Sequence, residues 1–235
     1  MRFVAIKSEA AQAARGLHRV RDLLVRQRSQ LGNCLRGLSA EFGLVTREGQ
    51  AGLAILMERI DAEGGPIPEP LRSALLGLCR QWAALDAAVR ELDLRIAREA
   101  QANETARRLM DVPGIGPVSA HALVAGVADA TLFKSGRDFA AWLGLTPRQA
   151  SSGKRQASGA ISRAGDATLR RLLVLGAASL VRQTRSRPQT RPWLTGLIGR
   201  RPVKVAIVAQ AAKTARIVWA LMARGDTYRA CPAAA

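Results

Sequence analysis

The chain has 235 residues, of which 48% are hydrophobic and only 4% aromatic. This length allows one or two domains with sizeable cores, and a core poor in aromatic rings favours packed helices. The net charge is +18, and residues 131–216 contribute 17 Lys and Arg against two acids, whereas the rest of the chain has 19 against 16. So basic a segment indicates a polyanionic partner, most often nucleic acid. The alternative is the arginine bias of a GC-rich genome, although such a bias has no reason to concentrate in one segment.

Cysteine use and hydropathy argue against several other classes of protein. The three cysteines are far apart without a CxxC pair, and the two histidines are too few for a zinc site. This pattern favours a reducing compartment over a disulfide framework. The most apolar region, near Val203 to Met222, is interrupted by Lys204, Lys213 and Arg216, so we predict no membrane span and no membrane partner.

Two heptad patterns dominate the first half of the chain. Residues 8 to 43 are predicted to form one long helix, with Leu17, Leu24, Leu31 and Leu38 every seven residues and Val20 and Cys34 on the adjoining row. The second pattern steps by four and three through Leu71, Leu75, Leu78, Trp82, Leu85, Val89, Leu92 and Ile96. Such heptads predict a coiled coil. A shorter helix near Leu53 to Ile60 and the helix-breaking segment "GGPIPEP" lie between them.

The heptad helices can fold back as an antiparallel hairpin or pair with another copy of the chain. We expect a homo-oligomer held by this region, and we assign no chemistry to it because a coiled coil is usually a spacer or a dimer handle. We therefore divide the chain into a coiled-coil region of residues 1–106, a compact helical domain of residues 107–228 and a tail of residues 229–235. The predicted fold class is mainly α.

The segment "LMDVPGIGPVSAHALVAGVAD" places a Pro-Gly-Ile-Gly-Pro turn between two apolar helical patterns. It matches a helix-hairpin-helix, in which glycines let backbone N–H groups reach a phosphate and the second helix offers its positive N-terminus. Gly114 and Gly116 would make this approach, with Ile115 anchoring the turn. Such a contact reads the DNA backbone and not its sequence. A tight turn between two packed helices is the alternative.

Three more helices are predicted after this turn. A short helix in "SGRDFAAWLG" is capped by Ser135, with Phe139 and Trp142 facing the core. The next helix starts at Asp166. The last helix runs from about Pro202 to Arg224, and its predicted core residues are Val205, Val208, Ala212, Ile217 and Leu221.

The loop "GLTPRQASSGKRQASGAISRAG", residues 144–165, is rich in glycine, serine and basic residues and has no acid. Its predicted phosphate contacts are Arg148, Gly153, Lys154, Arg155 and Arg163, and we add Arg170 and Arg171 on the helix that follows. A hydroxyl among cations is either a phosphate ligand or, once deprotonated, a nucleophile on phosphorus. The sequence near the loop has no histidine to act as a base, and both interpretations stay open on these residues alone.

The order of these pieces resembles the C-terminal half of the DEDD-type insertion-sequence transposases, the bridge-RNA-guided serine recombinases of bacterial mobile elements. The motifs that carry the resemblance are "PGIGPVSAHAL", "FAAWLGLTPRQASSG" and "GAISRAGDATLRRLL", which follow the coiled coil in this order. The resemblance implies that Ser152, directly before Gly153, attacks a backbone phosphate and forms a transient phosphoserine link. Ser151 is the alternative nucleophile. DNA and a structured guide RNA are the implied partners, and the bacterial cytoplasm, at the nucleoid, is the implied location.

Members of that family open with a nuclease-like domain, in which three aspartates and one glutamate hold magnesium. The first residues of this chain resemble the exit from that domain, so we expect no cofactor in this chain, magnesium held by the missing domain, and no recombination by the chain alone. Two other functions remain open. One is a non-enzymatic helix-hairpin-helix module that binds nucleic acid with the serine loop as a phosphate clamp, and the other is an RNA-binding structural protein that uses the same basic face.

The concentration of charge in residues 131–216 yields the first testable prediction. We expect the chain to bind duplex DNA of arbitrary sequence, because cations contact the backbone and release counterions. With about 6–10 phosphates contacted, the affinity should fall by roughly 10³–10⁵ between about 50 and 200 mM salt. Fluorescence anisotropy of a labelled duplex across a salt series measures this slope. An affinity that does not change with salt would contradict the assignment of the basic segment as the binding face.

Overall fold

The computed structural model of the protein describes residues 8–149 and 158–229. Helices α1 (Glu9–Ala40), α2 (Gln50–Asp61) and α3 (Glu69–Ala102) are followed by α4 (Glu104–Met110), α5 (Pro117–Gly126) and α6 (Gly136–Trp142). Strands β1 (Pro147–Gln149) and β2 (Ser158–Ile161) precede α7 (Ala167–Ser186), α8 (Pro192–Arg200) and α9 (Val203–Arg224). Short 3₁₀ turns lie at Ala130–Leu132 and Pro188–Thr190. The expected mainly α fold is confirmed in this part of the chain.

The chain divides into two compact units. The N-terminal unit is Gly16–Arg95, and the C-terminal unit comprises the described residues before Gly16 together with those from Ile96 onwards. The first turns of α1 and the last turns of α3 therefore belong to the C-terminal unit.

Within the N-terminal unit, α1 and α3 run antiparallel. Arg21 forms an ion pair with Asp93, and Arg28 with Asp86, so seven residues forward along α1 correspond to seven residues back along α3. The Asp86 carboxylate is 7% exposed and also pairs with Arg90 at 2.7 Å, which compensates the cost of burying its charge. The two heptad helices thus meet inside one chain, and self-association stays a prediction.

The packing of α2 changes which face of α1 is buried. The predicted row position Val20 is 49% exposed and Cys34 is also exposed, whereas Gly32, Leu35 and Ser39 are buried. The reason is the approach of α2, since a Cβ on Gly32 would lie 3.1 Å from Cδ2 of Leu53. The core beneath this contact consists of Leu35, Leu53, Leu56, Ile60, Ile67, Leu75 and Cys79.

Helix α9 lies at the centre of the C-terminal unit and packs against α6 and α7. Small buried residues, Ala211 and Ala215 among them, let the neighbouring helices approach closely. By length and composition, α9 is the one described helix that is long and apolar enough to cross a membrane, and here Val218 and Leu221 also belong to the core. The prediction that Val205 faces the core is wrong, because its side chain is 50% exposed at the surface cavity described below.

Local capping in the C-terminal unit follows the sequence closely. The Ser135 hydroxyl accepts a hydrogen bond from the backbone N–H of Asp138 and begins α6, and Asp166 caps α7 by accepting from two backbone N–H groups. Phe139 is fully buried as predicted. Trp142, which was also expected to face the core, is 37% exposed and stacks on Phe139 at a ring separation of 5.8 Å.

Helix α7 crosses closely over the turn between α4 and α5. A Cβ on Gly176 of α7 would lie 2.0 Å from the carbonyl oxygen of Gly114. We expect Gly176→Ala to lower the free energy of unfolding by about 1–3 kcal/mol, because backbone must move to admit the methyl group. Gly196→Ala in α8 is the control, since its Cβ would meet nothing within 4 Å and alanine favours a helix by up to about 1 kcal/mol. Urea unfolding followed by circular dichroism separates the two, and equal stabilities would contradict the crossing.

Candidate nucleic-acid interface

The basic loop is framed by a two-stranded antiparallel hairpin. Pro147 pairs with Ile161 and Gln149 with Ser158, with an irregularity in register between the two pairs. The strands flank residues 150–157, which lie outside the described residues. That segment contains the predicted nucleophile Ser152, its alternative Ser151, and the predicted contacts Gly153, Lys154 and Arg155. Their roles remain predictions, and the described strands locate the two ends of the segment.

Two glycines close the base of this hairpin against the end of α6. Gly144 and Gly165 have φ of +71° and +69°, a region that favours glycine. A Cβ on Gly165 would lie 1.9 Å from the carbonyl oxygen of Trp142, and one on Gly144 would lie 2.5 Å from the backbone nitrogen of Ala164. The strands therefore leave the helical core from a backbone crossing that only glycine permits.

Arg170 ties the same base to α7. Its guanidinium donates to the carbonyl oxygen of Leu143 at 3.0 Å and to that of Ala164 at 2.6 Å. These bonds satisfy carbonyl groups on both sides of the hairpin base. Arg170, a predicted DNA contact, therefore also has a structural role, in which its Nη1 group bonds two backbone carbonyl groups.

The other predicted cations differ in their surroundings. Arg148 is exposed on β1 and donates to the carbonyl oxygen of Ser162 at 3.0 Å, so it links β1 to the residue that follows β2. Arg163 is exposed and has φ of +56°, a left-handed conformation that is uncommon for a residue with a side chain. Arg171 is exposed on α7 and also interacts with another group of the protein. Strained backbone concentrates at functional sites, which makes Arg163 the most notable of the three.

A cavity of about 720 Å³ lies against one face of the hairpin. We call it the hairpin groove, and its walls come from the hairpin, α6, α8 and α9. Its apolar lining includes Leu145, Ile161 and Val208, and it is also lined by Arg137, Arg163, Lys204, Arg216 and Trp193. No acidic residue or histidine is among the described residues that line it. The groove can hold an anionic group beside an apolar one.

Sequence reasoning identified only Arg163 among the four basic residues of the hairpin groove. Lys204, Val208 and Arg216 lie at multiples of four residues along α9 and share one face, which is a signal that the sequence did carry. Arg137 and Trp193 come from separate helices, and nothing local in the sequence connects them to this face.

The turn between α4 and α5 gives its two glycines different surroundings. Gly114 has φ of +87° and packs against α7, where an added Cβ would lie 2.9 Å from Leu180. Gly116 is exposed, begins α5 without a side-chain cap, and has open space where a Cβ would be. Ile115 is 5% exposed and anchors the turn as expected. A tight turn between packed helices therefore accounts for Gly114, whereas the backbone of Gly116 is exposed and accessible to a ligand.

Asp166, the acidic residue that follows the basic loop, has two structural partners. Asp166 caps α7 and forms an ion pair with Arg15 of α1 at 3.1 Å, both within the C-terminal unit. Among residues 8–149 and 158–229, no group of three or more His, Cys, Asp or Glu is placed to hold a metal ion.

Comparison with known proteins places this geometry in context. Residues 106–191, which include the α4–α5 turn and the hairpin, match the family model described as "Transposase IS116/IS110/IS902 family". The chain is 45% identical to a Pseudomonas aeruginosa protein named "Probable family 20 transposase", over 97% of this chain and 69% of that protein. It is 36% identical to the transposase for insertion sequence element IS1111A of Coxiella burnetii, over 97% of this chain and 64% of that protein. It is 33% identical to the transposase for insertion sequence element IS1328 of Yersinia enterocolitica, over 97% and 68%.

The different surroundings of Gly114 and Gly116 allow packing to be separated from phosphate contact. We expect Gly116→Ala to fold normally, because nothing lies within 4 Å of the added carbon. Its duplex affinity should fall several-fold if the backbone N–H groups at this helix start approach a phosphate. Gly114→Ala should instead lose stability, because it combines a positive φ with a close contact. Thermal unfolding and anisotropy on the same samples test both, and unchanged duplex binding by Gly116→Ala would exclude the phosphate contact.

Proposed function

Because the chain belongs to the IS116/IS110/IS902 family of transposases, we propose that its C-terminal unit binds DNA and that its hairpin delivers Ser152 to a backbone phosphate. The chain spans about two thirds of the length of the curated relatives it matches. We propose that this chain contributes the DNA-binding and serine-bearing part of the transposition activity.

The observation that carries this proposal is the base of the hairpin. Gly144, Gly165 and Arg170 fix both ends of the loop to α6 and α7, in a unit with a large excess of positive charge. A reacting group has to be held in position relative to its substrate, and a rigid base limits the entropy lost when the loop engages DNA. Exposed cations on the same hairpin, Arg148 and Arg163, would neutralise the phosphate that the serine attacks.

The proposed reaction is a transfer of a phosphodiester bond. The Ser152 oxygen attacks phosphorus, its proton leaves to a base, and the bond from phosphorus to a DNA sugar oxygen breaks, with that oxygen taking up a proton. The product is a serine phosphodiester that keeps the bond energy for joining to a second strand. Arginine stays protonated and cannot accept the serine proton, so Arg148 and Arg163 stabilise charge and leave the base to another group.

We propose that the remaining catalytic group belongs to a magnesium-binding nuclease-like domain, as the family resemblance implies. Bound magnesium lowers the pKa of a coordinated oxygen and so supplies the activation that a serine hydroxyl needs. Asp166 is an unsuitable base, because its carboxylate caps α7 and pairs with Arg15. A structured guide RNA, a homo-oligomer held by the heptad helices, and a location in the bacterial cytoplasm complete the proposal.

A non-enzymatic binding module is the second candidate function. It is favoured by the direct structural use of Arg170 and Gly114, which shows that motif residues also serve packing. In that case the serine loop would clamp a phosphate without forming a bond to it. The same basic unit would then bind DNA or RNA by charge alone.

A covalent-adduct assay distinguishes the two functions. Labelled DNA is incubated with the chain, with and without the magnesium-binding domain of a full-length relative, and resolved on denaturing gels. We expect an adduct only with that domain, and Ser152→Ala should abolish it while changing DNA affinity by less than about twofold, since one neutral hydroxyl is lost.

Ser151→Ala is the matched control, because it removes the same group one residue earlier. An adduct that survives Ser152→Ala and vanishes in Ser151→Ala moves the nucleophile by one residue. The absence of any adduct, together with retained DNA binding, supports the non-enzymatic module. An adduct formed without the added domain contradicts the need for a metal site outside this chain.

A further inference from the structure

We propose that the hairpin groove binds one unpaired nucleotide of single-stranded DNA, with the base against Trp193 and the phosphate among the basic residues at its edge. This inference rests on the proposed function for the presence of DNA, and it adds the state of the DNA that the C-terminal unit holds. It assigns a role to four groups that the proposed chemistry does not use, namely Arg137, Trp193, Lys204 and Arg216.

The size and lining of the groove fit a nucleotide. Its volume of about 720 Å³ lies within the range of about 300–1,000 Å³ that is usual for small-ligand sites. Leu145, Ile161, Val205 and Val208 provide an apolar wall, and Val205 is 50% exposed. Removing exposed apolar surface from water is favourable, and the flat face of a nucleobase is suited to cover this wall.

Trp193 supplies an aromatic surface in the same groove. Its side chain is 43% exposed, although it belongs to a helix whose Leu194 is almost fully buried. The ammonium group of Lys213 lies 4.0 Å from the ring centroid, which holds the indole by a cation–π contact and leaves a further cation beside it. Stacking of bases on tryptophan is a general means of binding single strands, because every base has a π face.

The charge of the groove selects an anion. Arg137 belongs to α6, Lys204 and Arg216 belong to α9, and Arg163 follows β2; all four are exposed. The described lining has no carboxylate to neutralise them. A neutral apolar ligand would leave these cations unpaired, whereas a nucleotide satisfies both the apolar wall and the positive edge.

The groove favours an unpaired nucleotide over a duplex. In a duplex the base faces are stacked on each other, and only phosphates, sugars and base edges are available to a protein. An apolar wall with an exposed indole gains contact only when a base leaves the stack. The groove borders the hairpin that carries the proposed nucleophile, so it is placed to hold a nucleotide of a strand that is being cut or exchanged.

The test compares two groove variants with a matched surface variant in the full chain. Trp193→Leu removes the π face and keeps an apolar side chain, and Val205→Glu adds a carboxylate to the wall. Leu94→Glu is the control for Val205→Glu, because it adds the same negative charge at a 60% exposed helical residue of the N-terminal unit. Affinities are measured by fluorescence anisotropy for a 15-nucleotide oligothymidylate, the matching oligouridylate and a 15-base-pair duplex, and circular dichroism confirms that each variant is folded.

We expect both groove variants to weaken oligothymidylate binding by about 5- to 150-fold, the range for loss of one stacked base. Their duplex affinity should change by less than about twofold, and Leu94→Glu should change neither by more than that. Equal losses for oligothymidylate and duplex, equal losses in the control, or selective loss of oligouridylate binding would overturn the proposal. If the wild-type chain binds duplex but not oligothymidylate, only the groove proposal is overturned. If it binds no DNA at all, the proposed function is overturned as well.

Discussion

The backbone crossing at Gly165 is the constraint on which the candidate site depends. The chain leaves α6, forms the hairpin and enters α7 within about two dozen residues, and the return passes so close to Trp142 that no side chain fits. Arg170 then donates hydrogen bonds to the carbonyl oxygens of Leu143 and Ala164, one on each side of this crossing. A short two-stranded hairpin is only marginally stable by itself, so its position is set by this anchor and not by strand pairing.

The same anchor determines the hairpin groove. One wall of the groove is the hairpin face that includes Ile161, and the opposite wall is α9, whose position follows from its packing on α6 and α7. Because α6 and α7 hold the hairpin as well, the two walls share a common support. Arg163, whose backbone is left-handed, contributes to both features, because its backbone packs against Gly144 and its side chain lines the groove.

Sequence reasoning succeeded where structure is decided locally. Ser135 and Asp166 begin their helices because a side-chain oxygen bonds a backbone N–H two or three residues away, and that spacing is visible in the sequence. It failed where a third element intervenes. Gly32 and Leu35 are buried because α2 packs on α1, and a heptad count along α1 contains no information about α2. The sequence did not predict the hairpin groove for the same reason, since its lining residues come from the hairpin and from α6, α8 and α9.

The glycine motif shows a subtler limit. Gly114 and Gly116 are equivalent in the sequence pattern, yet their surroundings differ. Gly114 packs against Gly176 of α7, whereas Gly116 faces open space. The motif shows that two small residues occur together, but it does not show which other part of the fold lies against each of them. The role of Ser152 stays a prediction from the family resemblance, because this residue lies outside residues 8–149 and 158–229.

The ion pair between Arg15 and Asp166 has a consequence for how the chain folds. It joins two parts of the C-terminal unit that are 151 residues apart, so this unit is discontinuous and the N-terminal unit is an insertion within it. Closing a long flexible loop costs entropy, but a folded insertion whose ends are held together by Arg21 and Asp93 acts as a short connection. The antiparallel helices would then form first during synthesis, and the C-terminal unit would complete its core only after α9 has been made.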